Sequence, residues 1–168
     1  RGGPGQLCLL SGATGIEADR VLLLGLDRDH PGPAARWRST AARATRYARL
    51  RGLRRLAFVL PSELLNEEEN EVLAWVAEGC VGGAYGFDHL KGDKKKLRPK
   101  PSSCDLLIDK KDPKAPTRIT QGTDAYYRGH APGSQAGRVT CRDGELGPGS
   151  RQRTAQSPWT RGVGARGP

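Results

Sequence analysis

Short apolar runs, punctuated by glycine and proline, alternate along this chain with longer stretches of helical period. Residues 6–10 read as a short strand, closed by a turn region over 12–15 that holds Gly12 and Gly15. Residues 20–26 form a second strand. Its unbroken Val21, Leu22, Leu23, Leu24 run predicts burial on both faces, as in the middle of a parallel or mixed sheet. Pro31 and Pro33 suit a loop that opens a helix, because proline is tolerated in the first turn. From 34 to 50, Trp37, Ala41, Ala44 and Ala48 recur at helical steps on one stripe, while Arg36, Arg43, Arg46 and Arg49 fall mostly off it. Gly52 fits the helix stop. Residues 55–60 make a third buried strand, so that strand, helix and strand read as a βαβ unit with parallel pairing.

Pro61 ends that strand. Ser62 or Asn66 is placed to cap the next helix, with Glu67, Glu68 and Glu69 beside its positive start. Val72, Val76, Cys80 and Gly83 form the apolar face, flanked by Trp75 and Gly79, and the small residues let the helix lie close to its neighbours. A lysine-rich loop over 91–100 precedes a fourth strand built on Asp105, Leu106, Leu107 and Ile108. After Asp112 the character changes: residues 112–168 hold 10 Gly and 6 Pro in 57 positions, and Val139 is the one β-branched aliphatic between Ile119 and Val163. That composition predicts a disordered tail with no core of its own.

Composition narrows the function classes. Apolar residues are 36% of the chain, low for full packing at this length, and no apolar run approaches the length of a membrane span. No secretory leader is read at the start of the sequence. The net charge of +10 raises nucleic-acid binding, but arginines crowd 36–55, lysines 91–100 and acidic residues 63–78, a distribution common on soluble proteins. Cys8, Cys80, Cys104 and Cys141 are widely spaced, with no C-x-x-C pair and no histidine at metal spacing, so neither zinc nor a disulfide framework is expected. Reduced cysteines fit a cytoplasmic chain. His30, His89 and His130 stand with no serine or cysteine in a nucleophile motif. The turn at 12–15 has two glycines that could cradle a phosphate, yet it does not open a helix.

Three stretches resemble the leucine (cytosol) aminopeptidase family. Residues 5–10 with 18–26 are similar to the family's paired strands "G-x-x-L-L-L-P…A-x-R-V-L-L-V-G-L-G". The Ala/Arg-rich helix running into Leu53-Arg-Arg-Leu-Ala-Phe-Val-Leu-Pro61 looks like the helix before "V-x-x-L-A-x-x-L-P". The most specific is residues 76–91, similar to "E-G-x-x-L-G-x-Y-x-F-D-x-Y-K", in which Tyr85 and Phe87 are expected to anchor the helix end and Asp88 and Lys91 to pair with each other or with a neighbouring domain. The resemblance covers about 1–110. It implies an α/β, macro-domain-like mixed sheet flanked by helices over 1–111, followed by the disordered tail at 112–168.

The same resemblance implies that this region is non-catalytic. The family's two divalent metals, such as Mn or Zn, and its peptidase chemistry belong to a separate catalytic domain, and the family assembles as a hexamer. No catalytic, cofactor-binding or metal-binding residue is therefore assigned in this chain. The closest approach to the family's metal motif "N-T-D-A-E-G-R-L" is at 122–129, where Thr123, Asp124, Ala125 and Arg128 coincide but Tyr126 stands in place of the metal-binding Glu. A methionine-free sequence reads as a fragment of a longer enzyme. The tail also reads as an out-of-frame extension: residues 144–148, shifted by one nucleotide, can spell Val-Asn-Ser-Ala-Pro, similar to the start of the family's catalytic domain. Two other functions remain open at this point: a macro-like ADP-ribose-binding module and a basic nucleic-acid-binding protein.

Overall fold

A computed structural model describes residues 3–12, 14–16, 18–26, 32–60, 71–86, 101–108, 113–129, 138–143 and 152–153 of the 168-residue chain. The chain folds as mixed α/β with two small sheets and three helices among these residues. Strands β1 (Leu7–Ser11) and β2 (Arg20–Leu24) pair antiparallel, with Leu9 opposite Leu22. Helix α1 (Pro33–Leu50) follows, then β3 (Arg55–Leu60), α2 (Val72–Ala84), β4 (Ser103–Ile108), α3 (Ala115–Gly129), β5 (Arg138–Asp143) and β6 (Gln152–Arg153).

The second sheet runs β3-β4-β5-β6, with β3, β4 and β5 parallel and β6 antiparallel. Parallel neighbours need a crossover, and α2 and α3 supply the two. Alternation along the strands sorts the faces. Leu60, Cys104, Leu106 and Ile108 enter the core with Val139 of β5, whereas Val59 points away and is 59% exposed.

Helix α1 begins and ends as its residues require. Pro33 sits at its first turn, where a missing N–H costs nothing. Gly52 takes a φ of 70°, its N–H donates to the Arg49 carbonyl, and the Leu53 N–H donates to the Ala48 carbonyl. These are the two bonds of a Schellman stop. Trp37, Ala41, Ala44, Thr45 and Ala48 are buried against α2. Thr45 satisfies its buried hydroxyl by donating to the Ala41 carbonyl at 2.9 Å.

Helix α2 lies between α1 and α3 at close range. A Cβ added to Gly83 would stand 2.8 Å from the Thr45 Cβ and press on the Ala42 carbonyl; one added to Gly79 would stand 2.8 Å from the Ala41 Cβ. On the α3 side a Cβ at Gly122 would meet the Ala74 backbone, 2.8 Å from its Cα, and one at Gly82 would touch the Tyr126 ring at 3.1 Å. The apolar face expected for this helix is therefore correct, and its glycines mark the contact lines on two sides.

Two expectations are corrected. The run Val21–Leu24 is not in the middle of a sheet: β2 pairs with β1 in a separate hairpin, Leu23 is 52% exposed, and β2, α1 and β3 do not form a parallel unit. The turn at Gly12 and Gly15, both at positive φ, lets the two strands meet directly, while β3 takes β4 as its partner. Packing also continues past Asp112. Ala115, Ile119 and Tyr126 of α3 and Val139 of β5 all join the core, because the apolar positions of 115–126 share one helix face despite the low apolar content. Most of the expected tail beyond Asp143, and the capping positions Ser62 and Asn66, lie outside the described residues.

Two substitutions test this packing. Ile119→Ala should lower the unfolding free energy by about 2–4 kcal/mol in denaturant titration, the cost of a cavity in a closed core. A change within about 0.5 kcal/mol, the surface value, would take residue 119 out of that core. Gly79→Val should cost at least ~2 kcal/mol, because the clash is with backbone, while Gly32→Ala, which meets open space at the start of α1, should change little.

Candidate functional site

Several residues that the sequence singles out lie outside the described part of the chain: His30, His89, His130, Phe87, Asp88, Lys91 and the lysine-rich 91–100 loop. Tyr85 is described and is 42% exposed, which corrects its expected role as a packing anchor. What it contributes is its carbonyl, which accepts a 2.6 Å hydrogen bond from Arg49 Nη1 and so ties the end of α2 to α1. The arginines of α1 are partly engaged in the same way. Arg38 Nε pairs with Glu78 Oε2 on α2, and Arg51 lies over the Tyr47 ring at 5.1 Å.

The segment resembling a metal motif belongs to a packed helix. Thr123, Asp124 and Tyr126 sit on α3, where Thr123 donates to the Thr120 carbonyl at 2.9 Å. Tyr126 is 7% exposed and lies against Gly82, so the position of the missing carboxylate is filled by an aromatic ring serving the α2–α3 contact. Among the described residues, no group of three or more His, Cys, Asp or Glu side chains gathers as a metal site would require. A two-metal centre, which needs several carboxylates around the ions, does not fit this set.

The turn holding Gly12 and Gly15 joins two antiparallel strands, and a Cβ added at either glycine would have no neighbour within 4 Å. Its glycines serve the positive φ of the turn, with the Gly12 N–H donating to the Asp19 carbonyl at 3.3 Å. Among the described residues the turn leads from β1 into β2 and opens no helix, the feature that would favour a phosphate.

One constellation lies beyond the sequence motifs. Cys80 of α2 and Cys104 of β4 are both buried, with their sulfurs 3.2 Å apart. Two signals in the sequence point at it: Cys80 falls on the apolar stripe of its helix, and Cys104 shares the inward period of Leu106 and Ile108. Spacing along the chain hides the pair, because the sheet and helix, not a local motif, bring them together. Beside them lies a cavity of about 10 Å³ lined by Thr45, Val81, Ser103 and Val139, at the lower limit for one water. The hydrogen bond with Cys80, then burial, then the nearby charges of Cys80 and Asp105 push the Cys104 thiol well above its ordinary value. Cys8, by contrast, is exposed.

That shift fixes a pH dependence. The folded chain holds Cys104 protonated while the unfolded chain releases the proton near the ordinary thiol value of about 9. The stabilisation is therefore full below pH ~9 and is lost as pH rises from there toward the raised folded value. Thermal melts should show Tm falling above pH ~9, and Cys104→Ala should flatten that fall; an unchanged slope in the variant would remove the assignment.

Sequence relatives of this chain identify its family. Residues 1–94 match the profile of the Cytosol aminopeptidase family, N-terminal domain. A probable cytosol aminopeptidase of Streptomyces griseus is 34% identical over 103 residues, covering 59% of this chain and 19% of the relative. One of Roseiflexus castenholzii is 37% identical over 91 residues, covering 54% of this chain and 18% of the relative. The chain thus spans about a fifth of the length of these curated relatives. On the match over more than half its residues, α1 and α2 included, this chain belongs to the cytosol aminopeptidase family through that family's N-terminal domain.

Proposed function

We propose that this chain is the non-catalytic N-terminal portion of a leucyl aminopeptidase-like metallo-exopeptidase, and that it performs no peptide hydrolysis by itself. The observation that carries the reading is the placement of the match: it falls on the family's N-terminal domain and on less than a fifth of each relative's length. The packing of α3 supports it. A ring at position 126 occupies the place where the resembling motif has a metal ligand, and that ring is committed to the helix contact.

In this reading the two divalent ions, Mn or Zn, belong to a catalytic domain that this portion flanks, and the partners are that domain and further copies in a hexamer. The hairpin supports a docking role. Leu7, Leu9, Leu10 and Leu23 are each more than a third exposed, which leaves leucine on both faces of a two-stranded ribbon. Exposed apolar surface gathered in one place marks an interaction surface. No described helix is long and apolar enough to cross a membrane, and the relatives are named for the cytosol. The names of the relatives support a cytoplasmic location.

The purified chain should release no leucine from leucine p-nitroanilide above the blank, with or without added Mn or Zn. Turnover that follows the chain through two orthogonal columns and disappears with a chelator would overturn the reading.

A further inference from the structure

Cys80 and Cys104 stand apart from everything the family match explains. They come from different elements, 24 residues apart in sequence, and their sulfurs meet at 3.2 Å inside the core. A disulfide bond is ~2.05 Å long, so the sulfurs need to close by about 1.2 Å. Neither sulfur has to leave the core to do so. An adjoining cavity of about 10 Å³ is lined by both cysteines.

We propose that Cys80 and Cys104 are an oxidisable pair, which a small peroxide converts to a reversible disulfide linking α2 to β4. The chemistry balances in two displacements. One thiol sulfur attacks a peroxide oxygen; an S–O bond forms, the O–O bond breaks, and the departing hydroxide takes up the proton of that same thiol and leaves as water. The second sulfur then attacks the sulfenic sulfur, an S–S bond forms, the S–O bond breaks, and water leaves with the second thiol proton. In sum, two thiols and one hydrogen peroxide give one disulfide and two waters, with the sulfur pair giving up two electrons. A dithiol reductant reverses the bond by exchange.

Cys80 and Cys104 are both buried, so a small oxidant such as hydrogen peroxide reaches their sulfurs more readily than a bulky disulfide such as oxidised glutathione. In a reducing cytoplasm the pair stays as thiols, and the link forms only under peroxide load. Its effect is to fasten the central helix to the central strand pair at the point where α2 is already held by two helices.

The test uses the full chain, reduced, desalted and titrated with hydrogen peroxide, then digested without reductant. Peptide mapping should find Cys80 joined to Cys104, with a mass lower by two hydrogen atoms and full reversal by dithiothreitol. Oxidation should raise Tm by roughly 5–15 °C, as closure of a loop of this length does. The shift should vanish in Cys80→Ala and in Cys104→Ala. Oxidised glutathione should give the link at least tenfold more slowly than peroxide. If both cysteines remain fully alkylatable after unfolding, at a peroxide dose that oxidises the exposed Cys8, the proposal fails. It fails equally if either one links to Cys8 or Cys141 instead. Should the variants not fold, the peptide map of the unsubstituted chain still decides.

Discussion

The rest of the fold depends on how closely α2 approaches its neighbours. Backbone-to-backbone contact between helices is available only where one side has no Cβ, and α2 meets that condition on two opposed lines: Gly79 and Gly83 toward α1, Gly82 toward α3, with Gly122 returning the same contact from α3. Glycine costs about 1 kcal/mol per position in a helix interior. Three glycines in 13 residues therefore make α2 a poor helix in isolation. The packing must supply what the propensity withholds. It does so by burying Val72, Leu73, Val76, Ala77 and Val81 on a helix with almost no exposed face. Helix and packing are thus formed together or not at all, and the parallel sheet beneath, which needs α2 and α3 as its crossovers, inherits that condition.

The parts of this fold that can be read in the sequence are those where one periodicity dominates. The stripe Trp37, Ala41, Ala44, Ala48 has a single solution, and the Gly52 stop follows from its position after the last periodic residue. The strand β4 is legible for the same reason, and so is the position of β3, but β3 is not the buried strand its apolar run predicts: Arg55, Ala57 and Val59 are exposed and only Leu60 is fully buried. The pairing of β2 is not. A run of Val and three Leu is compatible with a strand buried on both faces and with a hairpin whose leucines await a cover, and periodicity does not distinguish the two. The connection from Ser11 to Arg20 holds Gly12 and Gly15, both at positive φ, which suits a reversal of the chain.

The segment after Asp112 misleads in the opposite direction. Its overall Gly and Pro content describes an average over the whole C-terminal third, whereas packing is decided locally, by Ala115, Ile119, Gly122 and Tyr126 falling on one face. Of these, Gly122 is the instructive one. In sequence it weakens a helix; in structure it is the point at which α3 reaches the Ala74 backbone. The same face gives the motif-like stretch a packing role, because Tyr126 is buried in the core and lies against Gly82. The buried cysteine pair is hidden from the sequence for a related reason. Spacing rules find ligands and bridges held by local turns, and this pair is assembled by register: Cys104 lies opposite Leu56 and Val139 on the inward row, which brings it beneath Cys80.

A two-stranded hairpin is marginal by itself in water, so what holds β1 and β2 bears on what this region is for. At its base the Gly5 N–H donates to the Gly25 carbonyl at 2.8 Å and the Gly25 N–H donates to the Gln6 carbonyl at 2.9 Å, while Leu26 packs on the main core. Those contacts fix the base of the hairpin. They leave its leucines uncovered, and the cost of that exposure grows with every Å² of apolar surface kept in water. Nothing in the packing of α1, α2 and α3 requires the exposed leucines, since the core closes without them. Leu7, Leu9, Leu10 and Leu23 thus form an exposed apolar surface on one ribbon. The docking role proposed for the hairpin rests on that exposed surface.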